Sequence, residues 1–253
     1  MSLHPSLRAT CSALALALSL AISGAAFAQE EPSIEADHSA DAVDMLPSGQ
    51  EVSQTVIDLA GWVKASKDTA GYPFAVIDKV NAQILVFGGD GKLKGAAPAL
   101  FGLDKGDTSD PGVVKYSLNK IPKGQRTTPA GSFVGGYGPS MDTGRVLWMD
   151  FDTAVSIHPT ATGVKSERRP ERLASPEPDD NRITNGCINV DPEFYAKVIK
   201  PTFEKGGLFY VLPDETEISK VFPDFAKSQS TAQRTEGKRP RRERAEVQDA
   251  VSP

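Results

Sequence analysis

The chain has 253 residues, with 28 Lys and Arg against 33 Asp and Glu, and its formal net charge of −5 is too weak and too unevenly spread to suit a nucleic-acid surface. It holds only two cysteines, Cys11 and Cys187, which excludes a disulfide-stapled framework.

The first residues read as an export signal. Arg8 is followed by the apolar run Ala13 to Ile22 and then by Ala26-Phe27-Ala28. The run is short for a permanent bilayer span, so 1–28 is expected to be a signal peptide cut after Ala28. Cys11 and His4 leave with it. Cys11 also precedes the apolar run instead of closing it, which argues against lipid attachment. The expectation is an exported protein, periplasmic or wall-associated, with no transmembrane anchor after cleavage. Roughly 225 residues then remain, enough to bury a core without a disulfide. Cys187 becomes an unpaired thiol, for which three readings are open: an intermolecular bond, an inert buried side chain, or a reactive nucleophile.

Residues 29–51 carry seven acids (Glu30, Glu31, Glu35, Asp37, Asp41, Asp44, Glu51) and no Lys or Arg, so 29–48 reads as a disordered acidic leader. Ser48-Gly49-Gln50-Glu51 fits a capping box at a helix start. Val52, Val56, Leu59 and Val63 then line up one apolar stripe, in a helix expected to stop before Gly71. From Phe74 the period changes, with β-rich runs at 74–80 and 83–87 and the turn signal Gly89-Asp90-Gly91. Further short strands are expected at 131–135, 146–151 and 154–157. Asp191-Pro192 reads as an N-cap and first helical residue, in a helix running toward Lys200 until Pro201 interrupts it. Gly206-Gly207 closes that stretch, and 208–212 supplies a last strand. The fold class is therefore mixed, mainly β with a few helices, in one domain over 49–225. Residues 226–253 hold seven basic and four acidic residues and read as a disordered basic tail. A solvated tail and one that touches anionic envelope polymers or nucleic acid both fit this composition.

The chemistry is concentrated in Arg182-Ile183-Thr184-Asn185-Gly186-Cys187-Ile188-Asn189-Val190, taken with Ser156-Ile157-His158-Pro159 upstream. Peptide acyl transfer needs a nucleophile, a proton carrier and an oxyanion stabiliser. Cys187 is the available thiol, and His158 is the single histidine of the expected domain. Gly186 allows close backbone approach, so the amides around Gly186 and Cys187 are natural oxyanion donors. Thr184 and Asn189 suit either bracing of the loop or contact with substrate. A core histidine is the plain alternative for His158. Zinc wants three or four ligands, and one Cys with one His falls short.

These segments resemble the paired signature of the L,D-transpeptidase (YkuD-type) catalytic domain family. Thr184, Gly186, Cys187, Ile188 and Asn189 match its Gly-Cys segment and His158 its upstream histidine. Thr128-Pro129-Ala130-Gly131 is similar to the Thr-Pro-x-Gly segment that precedes its site. Asn185 stands where that family usually has a second histidine, Pro159 replaces the usual glycine, and the segment from Pro159 to Ile183 is longer than in most members. The resemblance implies a β-sandwich or barrel-like domain in which Cys187 and His158 are catalytic and Thr184, Asn185, Gly186 and Asn189 form the oxyanion and support set. It implies a peptidoglycan stem peptide as substrate, held as a thioester on Cys187 after loss of D-Ala. The acceptor would be another stem, a free D-amino acid or an envelope protein. It implies no metal or organic cofactor, and acylation by carbapenem-type β-lactams, which members commonly accept. A related wall carboxypeptidase or amidase, a silent wall-binding module, and transfer on another envelope polymer are rival readings. Pro159 to Ile183 carries five basic residues, five acidic residues and four prolines, which fits an ordered lid as well as a surface loop. Arg168, Arg169 and Arg182 are its candidate anchors for substrate carboxylates.

Overall fold

A computed structural model describes residues 38–117, 120–140, 144–161 and 163–238. The segment read as a signal peptide, the start of the acidic leader and residues 239–253 of the basic tail lie outside them. The described chain opens on a strand, His38–Asp44 (β1). It runs parallel to Leu93–Gly102, with Val43 opposite Gly95 and Asp44 opposite Ala96. The second half of the leader, read as disordered, thus contains a strand. Two of its apolar residues, Val43 and Met45, pack against the core. Gly95 permits the approach, because a Cβ there would sit 2.7 Å from the Val43 carbonyl oxygen.

The first helix is Gln54–Ser66 (α1), capped by Ser53 and not by Ser48. The Ser53 hydroxyl accepts from the Val56 amide at 3.4 Å and donates to Asp78 at 2.9 Å, tying the helix start to the sheet. Val56, Leu59 and Val63 are fully buried, as their spacing requires. Phe74–Asp78 (β2) and Gln83–Phe87 (β3) form the expected hairpin, and Leu93–Gly102 (β4) continues it. Ala75 and Ile77 face one core cluster, while Phe74 and Val76 face a second one shared with α1. A sheet covered on both faces gives apolar runs instead of alternation.

Next come Gly131–Ser140 (β5), Gly144–Asp150 (β6) and Val155–Pro159 (β7). A crossover segment with the short helix Arg169–Leu173 (α2) leads to Arg182–Thr184 (β8) and Ile188–Val190 (β9). Asp191 caps Pro192–Phe194 (α3) as expected, accepting from the amides of Glu193 and Phe194. The helix then widens to a π turn over Tyr195–Ile199 and continues through Lys200–Thr202 (α4). Pro201 is absorbed, not terminating, since the wider turn relieves the clash that proline makes with the preceding one. Gly207–Val211 (β10) lies between β2 and β5.

The order β4-β3-β2-β10-β5-β6-β7-β9 returns to β4, closing an eight-strand ring, with β1 and β8 attached to β4 outside it. The fold is mainly β with few helices. After Ile218–Val221 (α5), the chain enters the helix Pro223–Lys238 (α6). The first part of the stretch expected to be a disordered tail is therefore helical. Phe222 and Phe225 are buried, and Phe225 meets the Trp62 ring edge-on at 6.1 Å, which holds the start of α6 against α1. Among the described residues no helix is long and apolar enough to cross a membrane.

Candidate active site

Strand alternation on β7 sends Val155 and Ile157 into the core and leaves Ser156 and His158 on the other face. On β9, Ile188 and Val190 enter the same core. The two strands are parallel neighbours with His158 opposite Asn189, so those two side chains stand side by side. Cys187 arrives just before β9 and lies beside Ser156, with Sγ 3.5 Å from the serine hydroxyl. Parallel strands cannot be joined by a tight hairpin. The segment from Thr160 to Gly186 makes the connection, and it thereby starts and ends at the site.

The nucleophile loop is braced by two threonines. The Thr184 hydroxyl donates to the Cys187 carbonyl at 2.6 Å and accepts from the Gly186 amide at 3.1 Å. The Thr128 hydroxyl donates to the Gly186 carbonyl at 2.8 Å and accepts from the Gly102 amide at 3.0 Å. Gly186 has φ +122°, and a Cβ on it would lie 2.8 Å from the Thr127 carbonyl oxygen. Glycine is required there by the chain's own Thr127, not by the approach of a substrate. The Gly186 amide, expected to be an oxyanion donor, is already engaged by Thr184.

His158 is oriented at both ring nitrogens. Nδ1 lies 2.9 Å from the Pro159 carbonyl oxygen, which only accepts, so Nδ1 carries a proton. Nε2 lies 3.0 Å from Nδ2 of Asn189. The other end of that amide, Oδ1, accepts from Nη1 of Arg169. Burial alone would push the Cys187 thiol up. Its hydrogen bond with His158, the imidazolium charge and Ser156 outweigh that, and the thiol is held below its ordinary value. For His158 burial pulls down, while Cys187 and the Pro159 carbonyl hold the ring net above its usual value against an opposing Arg169. Each partner thus favours the charged form of the other. Both are partly exposed.

The residues expected to act together, Cys187 and His158, meet at one spot. Thr184 and the fully buried Asn189 brace and orient instead of facing solvent, and Asn185 is exposed. Arg182 is buried at 8% exposure and bound to Asp214 and the Lys79 carbonyl, which takes it away from any substrate. Arg169 is committed to Glu167 and Asn189, and its side chain is 14% exposed. Arg168, 71% exposed on its side chain, has only a 3.8 Å contact with Glu171 and is the cation of that set open to a ligand. Sequence reasoning assigned no role to Ser156 and Thr128, although both lie inside the quoted motifs. Ser156 could have been found from β alternation with His158. Thr128 was marked only by its Thr-Pro-x-Gly segment, and its bond to Gly186 comes from tertiary contact. Among the described residues no group of His, Cys, Asp and Glu is placed to hold a metal ion.

No family model matches the chain, and no curated protein matches it. Among solved structures it is similar to residues 123–326 of an L,D-transpeptidase from Xylanimonas cellulosilytica, at 14% identity and TM-score 0.34, covering 56% of this chain and 60% of that one. It is similar to the LD transpeptidase LdtMt1 in complex with imipenem at 15% identity and TM-score 0.35, covering 55% and 58%. The catalytic domain of the E. faecium L,D-transpeptidase gives 20% identity and TM-score 0.32, covering 55% and 95%. The chain spans less than two thirds of the first two of these structures. It is thus similar to several solved L,D-transpeptidase catalytic domains, at low identity and over part of its length.

Proposed function

We propose that the protein is an exported cysteine acyltransferase that exchanges or cross-links peptidoglycan stem peptides, with Cys187 as nucleophile and His158 as proton carrier. The observation that carries this reading is the arrangement of His158: the Pro159 carbonyl holds the proton on Nδ1, which leaves Nε2 as the nitrogen that takes a proton from the thiol. The match of the Gly186-Cys187 and His158 segments to the L,D-transpeptidase signature supplies the substrate class.

In the reaction, Nε2 releases the Asn189 NH2 and accepts the thiol proton as Sγ attacks the carbonyl carbon of the L,D amide. The amide C–N bond breaks, the departing D-Ala amine takes the proton from Nε2, and the stem remains as a thioester on Cys187. A second amine then attacks the thioester, giving its proton to His158, and the thiol is restored. Proton transfer of this kind contributes about 10² to 10⁴ in rate. The Gly186 amide is engaged by Thr184, and we assign the oxyanion to the backbone amide of Cys187. Arg168 is the cation we assign to a stem carboxylate.

The test is incubation of the exported protein with disaccharide-tetrapeptide muropeptides, with products read by mass spectrometry. Cross-linked dimers, or D-amino acid exchange at the fourth position, are expected, and neither with Cys187→Ala. Tripeptide products alone would make the enzyme a carboxypeptidase. Unchanged substrate, with a freely alkylated Cys187 and no carbapenem adduct, would reject the reading.

A further inference from the structure

Asn189 joins the crossover segment to the imidazole, and the way round its amide lies is fixed by a residue outside the signature. Arginine has donors and no acceptor, so the end of Asn189 that meets Arg169 is the oxygen. The end that meets Nε2 of His158 is then the NH2 group. An NH2 facing Nε2 is compatible only with an unprotonated nitrogen there. Arg169 itself is fixed, since its Nε is paired with Glu167 Oε2 at 2.7 Å. The Glu167 carbonyl is in turn gripped by Nε of Arg172 at 2.8 Å, and Arg172 also reaches the Asp180 carbonyl at 2.5 Å. Asn189 is fully buried, so turning the amide over would set two donors against each other and leave buried polar groups unpaired.

We infer that Arg169 is a positioning residue for the Cys187–His158 pair: by holding the Asn189 amide oxygen, it keeps the amide NH2 on the Nε2 lone pair and so favours the unprotonated ring in the resting pair. The inference rests on the proposed function only for the use to which the pair is put. The groups that face His158 are Cys187 from the nucleophile loop, Asn189 from β9, Arg169 from the crossover segment and the Pro159 carbonyl of its own strand. Of these, Cys187 favours a protonated ring and Arg169 opposes it. With Arg169 removed, the Asn189 amide is free to turn its oxygen toward a protonated Nε2. The thiolate–imidazolium form gains, and the imidazolium gives its proton less readily to a leaving amine. The bare thiolate reacts sooner while acyl transfer slows.

The experiment uses the mature chain and its Arg169→Met and Glu167→Gln variants. The rate of Cys187 alkylation by iodoacetamide is followed against pH, and the ring nitrogens of His158 are followed by NMR. For Arg169→Met the alkylation inflection is expected to move toward acid, with the rate near pH 6 rising roughly three-fold, and His158 to hold its proton to higher pH. Glu167→Gln loosens Arg169 without removing its charge and is expected to move both in the same direction by less. An unmoved alkylation profile and an unmoved imidazole titration in a folded Arg169→Met protein would overturn the inference. If that variant does not fold, Glu167→Gln decides: a profile displaced toward acid supports the inference, and one that overlays the wild type overturns it. Neither readout uses a muropeptide, so a wild type inactive on stem peptides would reject the proposed function and leave this test intact.

Discussion

The Thr128 hydroxyl donates to the Gly186 carbonyl at 2.8 Å, one residue before the thiol, while the Thr128 carbonyl receives Nζ of Lys79 at 2.8 Å. One fully buried threonine therefore couples the nucleophile loop to a buried cluster of charges. Lys79 in that cluster is wholly buried, pairs with Asp107 at 2.9 Å and Asp214 at 3.4 Å, and also donates to the Gly106 carbonyl at 2.7 Å.

Thr128→Val keeps the shape and deletes the hydroxyl, leaving the Gly186 carbonyl and the Gly102 amide without their partner. The expected cost is about 1–3 kcal/mol in stability, from urea melts. Alkylation of Cys187 should also slow, because the loop that carries it loses a brace. A variant as stable and as reactive as the wild type would show that the threonine is not a support.

His158→Gln removes the largest of the interactions that hold the Cys187 thiol below its ordinary value, and only Ser156 then opposes the burial that pushes the thiol up. The thiolate is the reactive form, so the alkylation inflection should move to higher pH. The rate at pH 7 should fall at least about ten-fold. An inflection that stays in place would mean that the thiol is activated by something other than His158.

Asp107 gives the pH dependence of stability. Burial raises its carboxyl, but the amides of Asp214, Thr216 and Glu215 and the Lys79 ammonium together hold it well below the usual carboxylate range. A folded-state value below the unfolded one stabilises above the ordinary carboxylate range, near pH 4, and the stabilisation is lost as pH falls further. Asp107→Ala should cost about 3 kcal/mol at pH 7, the lower end for breaking a buried pair because Asp214 still meets Lys79. Melts of the variant should also depend less on pH between about 5 and 2 than those of the wild type. Equal acid sensitivity in the two proteins would assign that dependence to other carboxylates.

Local chemistry made much of the structure legible from sequence. The stripe Val56, Leu59, Val63 fixed a helix face, the 74–78 and 83–87 strands and their turn were written in β-rich runs, and Asp191-Pro192 marked its helix start. Cys187 and His158 stood out as candidates because a lone thiol beside Gly186 and a strand histidine are rare residue types in a specific pattern. The strand β4 left no such mark, since Gly95, Ala96, Ala97, Pro98 and Ala99 are small and the edge away from β3 is paired by distant chain, β1 and β9. For the same reason β1 was hidden among acids: its order comes from the edge it meets at Gly95 and Ala96. Arg169 and Arg182 looked alike as loop cations. Only the tertiary structure separated them, by burying Arg182 against Asp214 and seating Arg169 on Asn189. Sequence spacing specifies which residues share a face of one element, whereas the partner of a charge or the register of two parallel strands depends on contacts that no local pattern encodes.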